Sequence, residues 1–277
     1  MARRPSFNAL MSRLAVWSGR LALFALVVTV LSVIIVRSNV LEIGPALATF
    51  GGALALAAAA VLLALASFVT IWRQGLAGLG RAVGALLLGV ALLAYPAYLG
   101  YRALTLPALA DISTDPANPP RFVALAQQRP AGRSEYPGPT AAERQRSAYP
   151  DLAPLVEEVD PQTAYRTALG VALKRKWQLV DAHPPGTPRR EGTIEMVARS
   201  PIMGFRDDVV IRITPGREGT RIDMRSASRY GTHDFGDNAA RIRSLLQDID
   251  DAIGDLPEPQ AAPEEKKPPA KRPPRRR

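Results

Sequence analysis

Charged residues alternate with apolar ones in two neighbouring segments, 206–214 and 220–229, which carry the best candidate for a binding site. A guanidinium group can donate two parallel hydrogen bonds to a carboxylate or phosphate, so arginines on one strand face could bind an anion or a polar headgroup. The candidate ligand-binding residues are Asp208, Arg212, Asp223, Arg225, Ser228, Arg229, Asp234 and Asn238. The alternative is a ladder of ion pairs on a solvated sheet face, where each pair stabilises the fold by ~0–1 kcal/mol.

A hydrolase is the enzymatic alternative, because Ser226, Ser228, His233 and Asp234 lie close together in the sequence. A nucleophilic serine needs a base within hydrogen-bond reach, and the base needs an orienting acid. Ser226 is expected on the apolar side of its strand, and the side chains of adjacent His233 and Asp234 should diverge. The sequence also has no Gly-x-Ser-x-Gly elbow. We therefore predict no catalytic residues and keep an envelope-associated hydrolase as the alternative.

Metal and cofactor sites are not indicated by the sequence. It contains no cysteine, which excludes disulfides, thiol catalysis and cysteine metal ligands. Its two histidines, His183 and His233, are far apart in the sequence and have no third to complete a ligand set. We predict no metal and no cofactor.

The two charged segments predict a β-hairpin, with Gly216-Arg217 as the central pair of a type II′ turn. This turn sets Ile211 opposite Ile222 and Val209 opposite Met224. It also sets Asp208 opposite Arg225. A slip by one residue would turn the apolar face outward.

The elements around the hairpin predict an α+β domain over residues 151–255. Asp160 can cap a helix that has Pro161 at its first position. Strands are predicted at "WQLVDAH" and "GTIEMVAR". A last amphipathic helix carries apolar residues at three- and four-residue spacing and ends at Gly254. The order of helix, four strands and helix predicts an antiparallel four-stranded sheet with two helices on one face.

The hairpin and the sequence after it resemble the signature of the domain of unknown function 1499 family, in "FRDDVVIRI" and "GTRIDMRSASRYGTHDFGDNAARIR". The similarity is specific over about 204–243 and looser back to about 111. The residues that carry it are Asp207, Asp208, Arg212, Asp223, Arg225, Ser226, Ser228, Arg229, Gly231, Asp234, Asn238 and Arg241. His233 stands where a small or polar residue is expected in relatives. The resemblance implies a domain boundary and a site, but no chemistry.

Three long apolar runs precede this domain and predict a membrane anchor over residues 1–105. A helix of ~20 mostly apolar residues spans the hydrocarbon core. The predicted spans are 14–36, 45–72 and 82–104, with no acidic residue inside them. The first run is longer than the apolar region of a signal peptide and has no cleavage motif after it, so we expect it to be retained.

Arginines in the flanks predict the orientation of the anchor, because basic residues are in excess on the cytoplasmic side. The N-terminal flank has four arginines, the first loop has Arg37 beside Glu42, and the second loop has Arg73 and Arg81. This places the N-terminus in the cytoplasm and, after three spans, the domain in the periplasm or outside. We expect a multi-pass protein of the cytoplasmic membrane.

Charge is distributed unevenly along the chain. Residues 1–110 carry a net +7, residues 111–258 a net −2 and residues 259–277 a net +5. The near-neutral domain does not indicate nucleic-acid binding. Residues 106–150 are predicted to be a Pro-rich tether, with either a packed piece near Phe122 or a disordered linker, and residues 256–277 a disordered basic tail.

Together these features predict a membrane-anchored, non-enzymatic binding or scaffold module. The lipid bilayer is its expected partner, and an anionic ligand, an envelope polymer or a protein is its candidate ligand. The basic tail could strengthen attachment to an anionic surface. An inverted topology, with the tail binding nucleic acid in the cytoplasm, is the remaining alternative. The oligomeric state is left open.

Overall fold

The computed structural model describes residues 10–38, 43–129, 133–186, 191–217 and 219–256. Three long helices come first: α1 (Arg13–Ser38), α2 (Ile43–Gln74) and α3 (Leu79–Thr105). All three are long and apolar enough to cross a membrane. They confirm the three predicted spans as candidate membrane helices. The predicted basic tail lies outside the described residues.

Small residues lie where the three helices cross, and large apolar residues face outward. Ala22, Ala60, Ala64 and Ala85 form a buried cluster. Such residues let helix backbones approach closely, which is how membrane helices gain packing contacts. The outward leucines, such as Leu23 at 58% exposure, are then left to contact lipid.

The soluble domain is built on one antiparallel sheet of six strands. The strands are β1 (Asp111–Ser113), β2 (Leu155–Glu157), β3 (Gln178–His183), β4 (Gly192–Arg199), β5 (Arg206–Pro215) and β6 (Thr220–Ser228). Their order is β1-β6-β5-β4-β3, and β2 also pairs with β6. The predicted α+β class is confirmed, but the predicted count of four strands is wrong. The additional strands β1 and β2 have three residues each, too few to show an alternating pattern.

Helices α5 (Pro161–Lys174) and α6 (Asp237–Gly254) cover one face of the sheet, as predicted. The Asp160 carboxylate accepts bonds from the amides of Gln162 and Thr163, which confirms the predicted N-cap. Ile211, Met224 and Ile242 are among the fully buried residues of the core between the helices and the sheet.

The opposite face of the sheet is covered by residues 114–129 and 133–136, which fall within the segment predicted to be a Pro-rich tether. We call these residues the covering segment. Phe122 and Leu125 pack against Val210 and Ala227, and a short 3-10 helix spans Leu125–Gln128. Helix α4 (Pro139–Ala148) follows. Because of this cover, the polar face of the hairpin is largely withdrawn from solvent.

The hairpin register differs from the predicted one by two residues. Ile211 lies opposite Met224, Val209 opposite Ser226, and Asp208 opposite Ala227. The connection is four residues long, from Gly216 to Gly219, and the Gly216 amide donates to the carbonyl of Gly219 at 2.7 Å. A two-residue slip preserves the apolar face, so the alternation could not have revealed it.

Candidate functional site

The sheet divides the predicted site residues into two groups on opposite faces. Five of them lie under the covering segment, namely Asp208, Arg212, Asp223, Arg225 and Arg229. Together with their partners Asp111, Arg129 and Arg221 they form a set that we call the ionic layer. The other three, Ser228, Asp234 and Asn238, lie where β6 meets the start of α6. The structure therefore does not bring all eight residues into one pocket.

Arg225 is the centre of the ionic layer and is 1% exposed. Its Nε and Nη2 donate to the two carboxylate oxygens of Asp111 at 2.9 and 2.7 Å. It also donates to the carbonyl oxygens of Pro120 and Ser134, both at 3.1 Å. The Phe122 ring lies 4.4 Å from its Cζ atom. Arg225 thus binds the covering segment to the sheet.

Asp208 is the second central residue of the ionic layer and is fully buried. Arg229 Nε donates to its Oδ1 at 2.8 Å, and Arg129 Nη1 donates to its Oδ2 at 2.7 Å. Arg129 also donates to the carbonyls of Ala227 and Ser228. Sequence reasoning missed Arg129, because nothing in its local sequence indicates a partner 79 residues away.

The remaining pair of the ionic layer lies nearer to solvent. Arg212 Nη2 donates to Asp223 Oδ2 at 3.0 Å. Arg221, with a 40% exposed side chain, donates to both oxygens of Asp223 and reaches Asp115. Hydrogen bonds to Asp223 from Arg221 are the first cause of the raised pKa of Arg221.

Glu195 is a further buried acid that the sequence did not single out. It lies on β4, and its carboxylate accepts bonds from the amides of Val123, Ala124 and Leu125 at 2.8 to 3.2 Å. These amides lead into the 3-10 helix, whose first donors have no partner within the helix. Glu195 therefore holds the covering segment in place at the other end of the sheet.

The second group is organised around Asn238. Its Oδ1 accepts a bond from Ser226 Oγ at 2.7 Å, and its Nδ2 donates to Ser228 Oγ at 3.1 Å. Arg241 donates to Ser226 Oγ at 2.9 Å and to Asp207 Oδ2 at 2.6 Å. Sequence reasoning placed Arg241 in the family signature but not in the site.

Asp234 receives the first amides of α6. Its two carboxylate oxygens accept bonds from the amides of Gly236 and Asn238 at 2.9 and 2.8 Å. Burial raises the pKa of Asp234, although the two amide bonds act in the opposite direction. Its observed contacts are those of a residue that organises the start of the helix.

The serine and histidine of the hydrolase alternative are not joined in this structure. Ser226 bonds to Asn238 and Arg241, as described above. His233 Nδ1 accepts a bond from the Phe235 amide at 2.8 Å, and its Nε2 lies 3.2 Å from the carbonyl oxygen of Leu106. Both ring nitrogens of His233 thus contact backbone groups, and Ser226 has no base to activate it among the described residues.

A cleft of about 630 Å³ opens at the β1 edge of the sheet. Asp111 and Ser228 line it, together with the exposed residues Arg133, Glu135 and Arg144. Its size is in the range of small-molecule sites, which is ~300–1,000 Å³. Ser228 is the one predicted site residue that lines this cleft, and its hydroxyl accepts a bond from Asn238 Nδ2.

Tyr136 forms another part of the cleft wall and donates to Gln145 Oε1 at 3.1 Å. Burial, and then the negative charge of Asp111, raise the pKa of Tyr136 to about 12. The hydroxyl is therefore neutral at physiological pH and can donate. Gln145 in turn bonds to the amide and carbonyl of Ser113, which protects the edge of β1.

Fold and site together define a membrane protein whose α+β domain is covered on one face by helices and on the other by a segment held through buried ion pairs. The chain belongs to the family described as "Protein of unknown function (DUF1499)", whose model matches residues 111–249. The match begins at the first residue of β1, so the family domain includes the covering segment. No curated protein matches the chain.

Proposed function

We propose that the protein is a membrane-anchored, non-enzymatic binding module whose domain binds a small anionic ligand in the cleft at the β1 edge. The observation that carries this proposal is that two exposed arginines, Arg133 and Arg144, line one cleft of ligand size. Glu135 is the exposed acid beside them, because Asp111 is neutralised by Arg225. The cleft wall therefore has an excess of positive charge available to a ligand.

The ionic layer has a supporting role in this proposal. Arg225 donates to the carbonyl of Ser134, and Arg129 Nε donates to the carbonyl of Arg133 at 2.7 Å. Both arginines thus fix the backbone that presents Arg133. The predicted site residues Asp208 and Arg225 would then position the cleft without touching the ligand, whereas Ser228 would contact it.

We further propose that the domain lies on the outer side of the cytoplasmic membrane. Six arginines flank the ends of the spans on the side of the N-terminus, and Arg37 and Arg102 lie on the side of the domain. The excess supports a cytoplasmic N-terminus. An anionic component of the cell envelope is the ligand class available on that side.

Ligand binding by the cleft can be tested with the full-length protein in a neutral detergent. The probes are inorganic phosphate and glycerol phosphate, and the readout is the shift in melting temperature with probe concentration. We expect Arg133→Gln/Arg144→Gln to weaken binding about tenfold or more, because each bond to a charged group contributes ~1.5–3 kcal/mol. Arg166→Gln, an exposed arginine on α5, is the matched control.

The outcomes separate clearly. Binding that is lost in the double variant and kept in the control supports the cleft. A wild-type protein that binds neither probe, or a double variant that binds as tightly as wild type, would refute an anion site at this edge.

A further inference from the structure

The soluble domain contacts the end of the anchor where α1 ends and α2 begins. Arg37 Nη1 donates to the carbonyl oxygens of Pro201 and Ile202 at 2.7 and 2.9 Å. Met203 packs against Val36 and Ala46. These contacts hold the turn between β4 and β5, residues 200–205, against the membrane helices.

A glycine makes this close approach possible. Gly204 has φ +71, and a Cβ atom there would lie 3.1 Å from Cγ of Arg37. The turn is also closed on itself, because the Ser200 amide donates to the carbonyl of Phe205 at 2.8 Å. The turn is therefore shaped to fit the anchor.

The length of α2 and the position of aromatic residues indicate where this junction lies relative to the bilayer. Helix α2 has 32 residues, which at 1.5 Å per residue is about 48 Å, against a hydrocarbon core of ~30 Å. Helix α2 is therefore longer than the core is thick, and one or both of its ends lie in the headgroup region. Exposed Tyr98 and Tyr101 lie near the same end of the anchor, where aromatic residues mark the interface.

Two arginines flank the turn and lie opposite each other on neighbouring strands. Arg199 on β4 lies directly opposite Arg206 on β5, so their side chains share one face. Among the residues that the structure describes, neither forms an ion pair with a carboxylate. Like charges directly opposite destabilise a strand pair. An anion bound between the two arginines would replace this repulsion with attraction and would stabilise the strand pair.

An apolar cleft of about 310 Å³ lies beside Arg206. One wall is Ile43 and Leu47 from the first turns of α2, and the other includes Phe205 and Tyr230 from the domain. The cleft therefore lies between a membrane helix and the domain, and Arg206 is among its lining residues.

Three acids also line this cleft, and each has a partner. Asp234 accepts bonds from the amides of Gly236 and Asn238 at 2.9 and 2.8 Å. Asp207 accepts a bond from Arg241 at 2.6 Å, and Asp237 lies 3.4 Å from Arg102. Burial raises the pKa of Asp237, which further disfavours its charge. Asp207 and Asp237 therefore oppose a phosphate less than free carboxylates would, and burial also raises the pKa of Asp234.

We propose that this junction is a binding site for an anionic phospholipid. The phosphate headgroup bridges Arg199 and Arg206, and the upper part of the lipid lies in the apolar cleft between Leu47 and Phe205. The lipid thereby joins the domain to the bilayer at a second place, beside the covalent connection through α3. The occupant is a lipid of the bilayer, since residues of a membrane helix form one wall of the cleft and Arg206 is also among its lining residues.

The headgroup site is tested by the difference in melting temperature between the variant and wild type, which should change sign when anionic lipid is present. The full-length protein and Arg199→Gln/Arg206→Gln are each melted in an uncharged detergent and in nanodiscs that contain phosphatidylglycerol. In detergent we expect the double variant to melt at the same or a higher temperature than wild type, because the repulsion is gone. In phosphatidylglycerol nanodiscs it should melt lower than wild type. Arg166→Gln is again the matched control, and it should show no such reversal.

Native mass spectrometry then measures the lipid directly. Wild type should retain phosphatidylglycerol in preference to phosphatidylcholine, and the double variant should retain at least about tenfold less, given the strength of bonds to a charged phosphate. Leu47→Trp, which fills the cleft while leaving both arginines, should also reduce retention. Equal retention of the two lipids by wild type, no difference in the double variant, or full retention by Leu47→Trp would each overturn the site.

Discussion

The buried arginines of this domain bind carboxylates that lie far away in sequence. Arg225 reaches Asp111 across 114 residues, and Arg129 reaches Asp208 across 79. A buried ion pair is weak evidence of net stability, because desolvation offsets much of the attraction. Replacing only one partner of the pair is costly, however, because the remaining charge is left in a low-dielectric environment. These pairs therefore specify where the covering segment lies.

Arg225→Ala should destabilise the domain by about 3–5 kcal/mol, because Asp111 would stay buried without its partner. Arg221→Ala is the control within the same ionic layer, and with a 40% exposed side chain it should cost less than ~1 kcal/mol. The free energies of unfolding of both variants are measured in urea on the detergent-solubilised protein, with hydrogen exchange of the β6 amides as the probe. Similar losses for the two variants would contradict the proposed role of burial.

The pH dependence of stability should change when Asp234 is replaced. Its pKa is raised above the usual 3.8 by burial. A raised carboxyl pKa gives stability that is complete below the unfolded value and is lost as pH rises through the folded one. Asp234→Asn removes this loss, so relative to wild type the variant should gain melting temperature as the pH rises above the usual carboxyl value of 3.8. A difference that stays constant with pH would argue against a raised pKa.

Elements with long alternating or helical patterns were predictable, and short ones were not. The sequence predicted β4 at its observed bounds and placed α6 correctly, because both carry a full apolar period. Strands β1 and β2 are recognisable only through their pairing with β6. The polar face of the hairpin was predictable, but its burial was not, since the covering segment resembles a proline-rich tether.

Glycines at two elements should respond oppositely to substitution by alanine. A Cβ at Gly219 would lie 2.2 Å from the carbonyl oxygen of Glu157, and its φ is +130. Gly219→Ala should therefore destabilise the hairpin by about 1–3 kcal/mol or more. Gly170 lies inside α5 with nothing within 4 Å of its Cβ position, so Gly170→Ala should stabilise by about 0.5–1 kcal/mol. Thermal unfolding of the full-length variants checks both signs, and a Gly219→Ala protein as stable as wild type would refute the close approach of Gly219 to Glu157.

At the scale of the whole molecule, the anchor and the domain are in direct contact. The Arg37 bonds to the 200–205 turn lie at one side of the junction, and the Arg102–Asp237 pair lies at the start of α6. His233 adds a contact with the carbonyl of Leu106, just after α3. The domain therefore meets the anchor both at the turn and where the chain leaves the membrane.

The orientation of this assembly is the prediction that decides which ligands it can meet. With a cytoplasmic N-terminus and three spans, a C-terminal alkaline phosphatase should be active, and a fluorescent protein that folds only in the cytoplasm should be dark. The same reporters fused within the loop between α2 and α3 should give the opposite result, which controls for expression. Fluorescence at the C-terminus without phosphatase activity would place the domain in the cytoplasm. The basic tail would then lie in the cytoplasm, where it could bind nucleic acid, and an envelope ligand for the β1 cleft would be excluded.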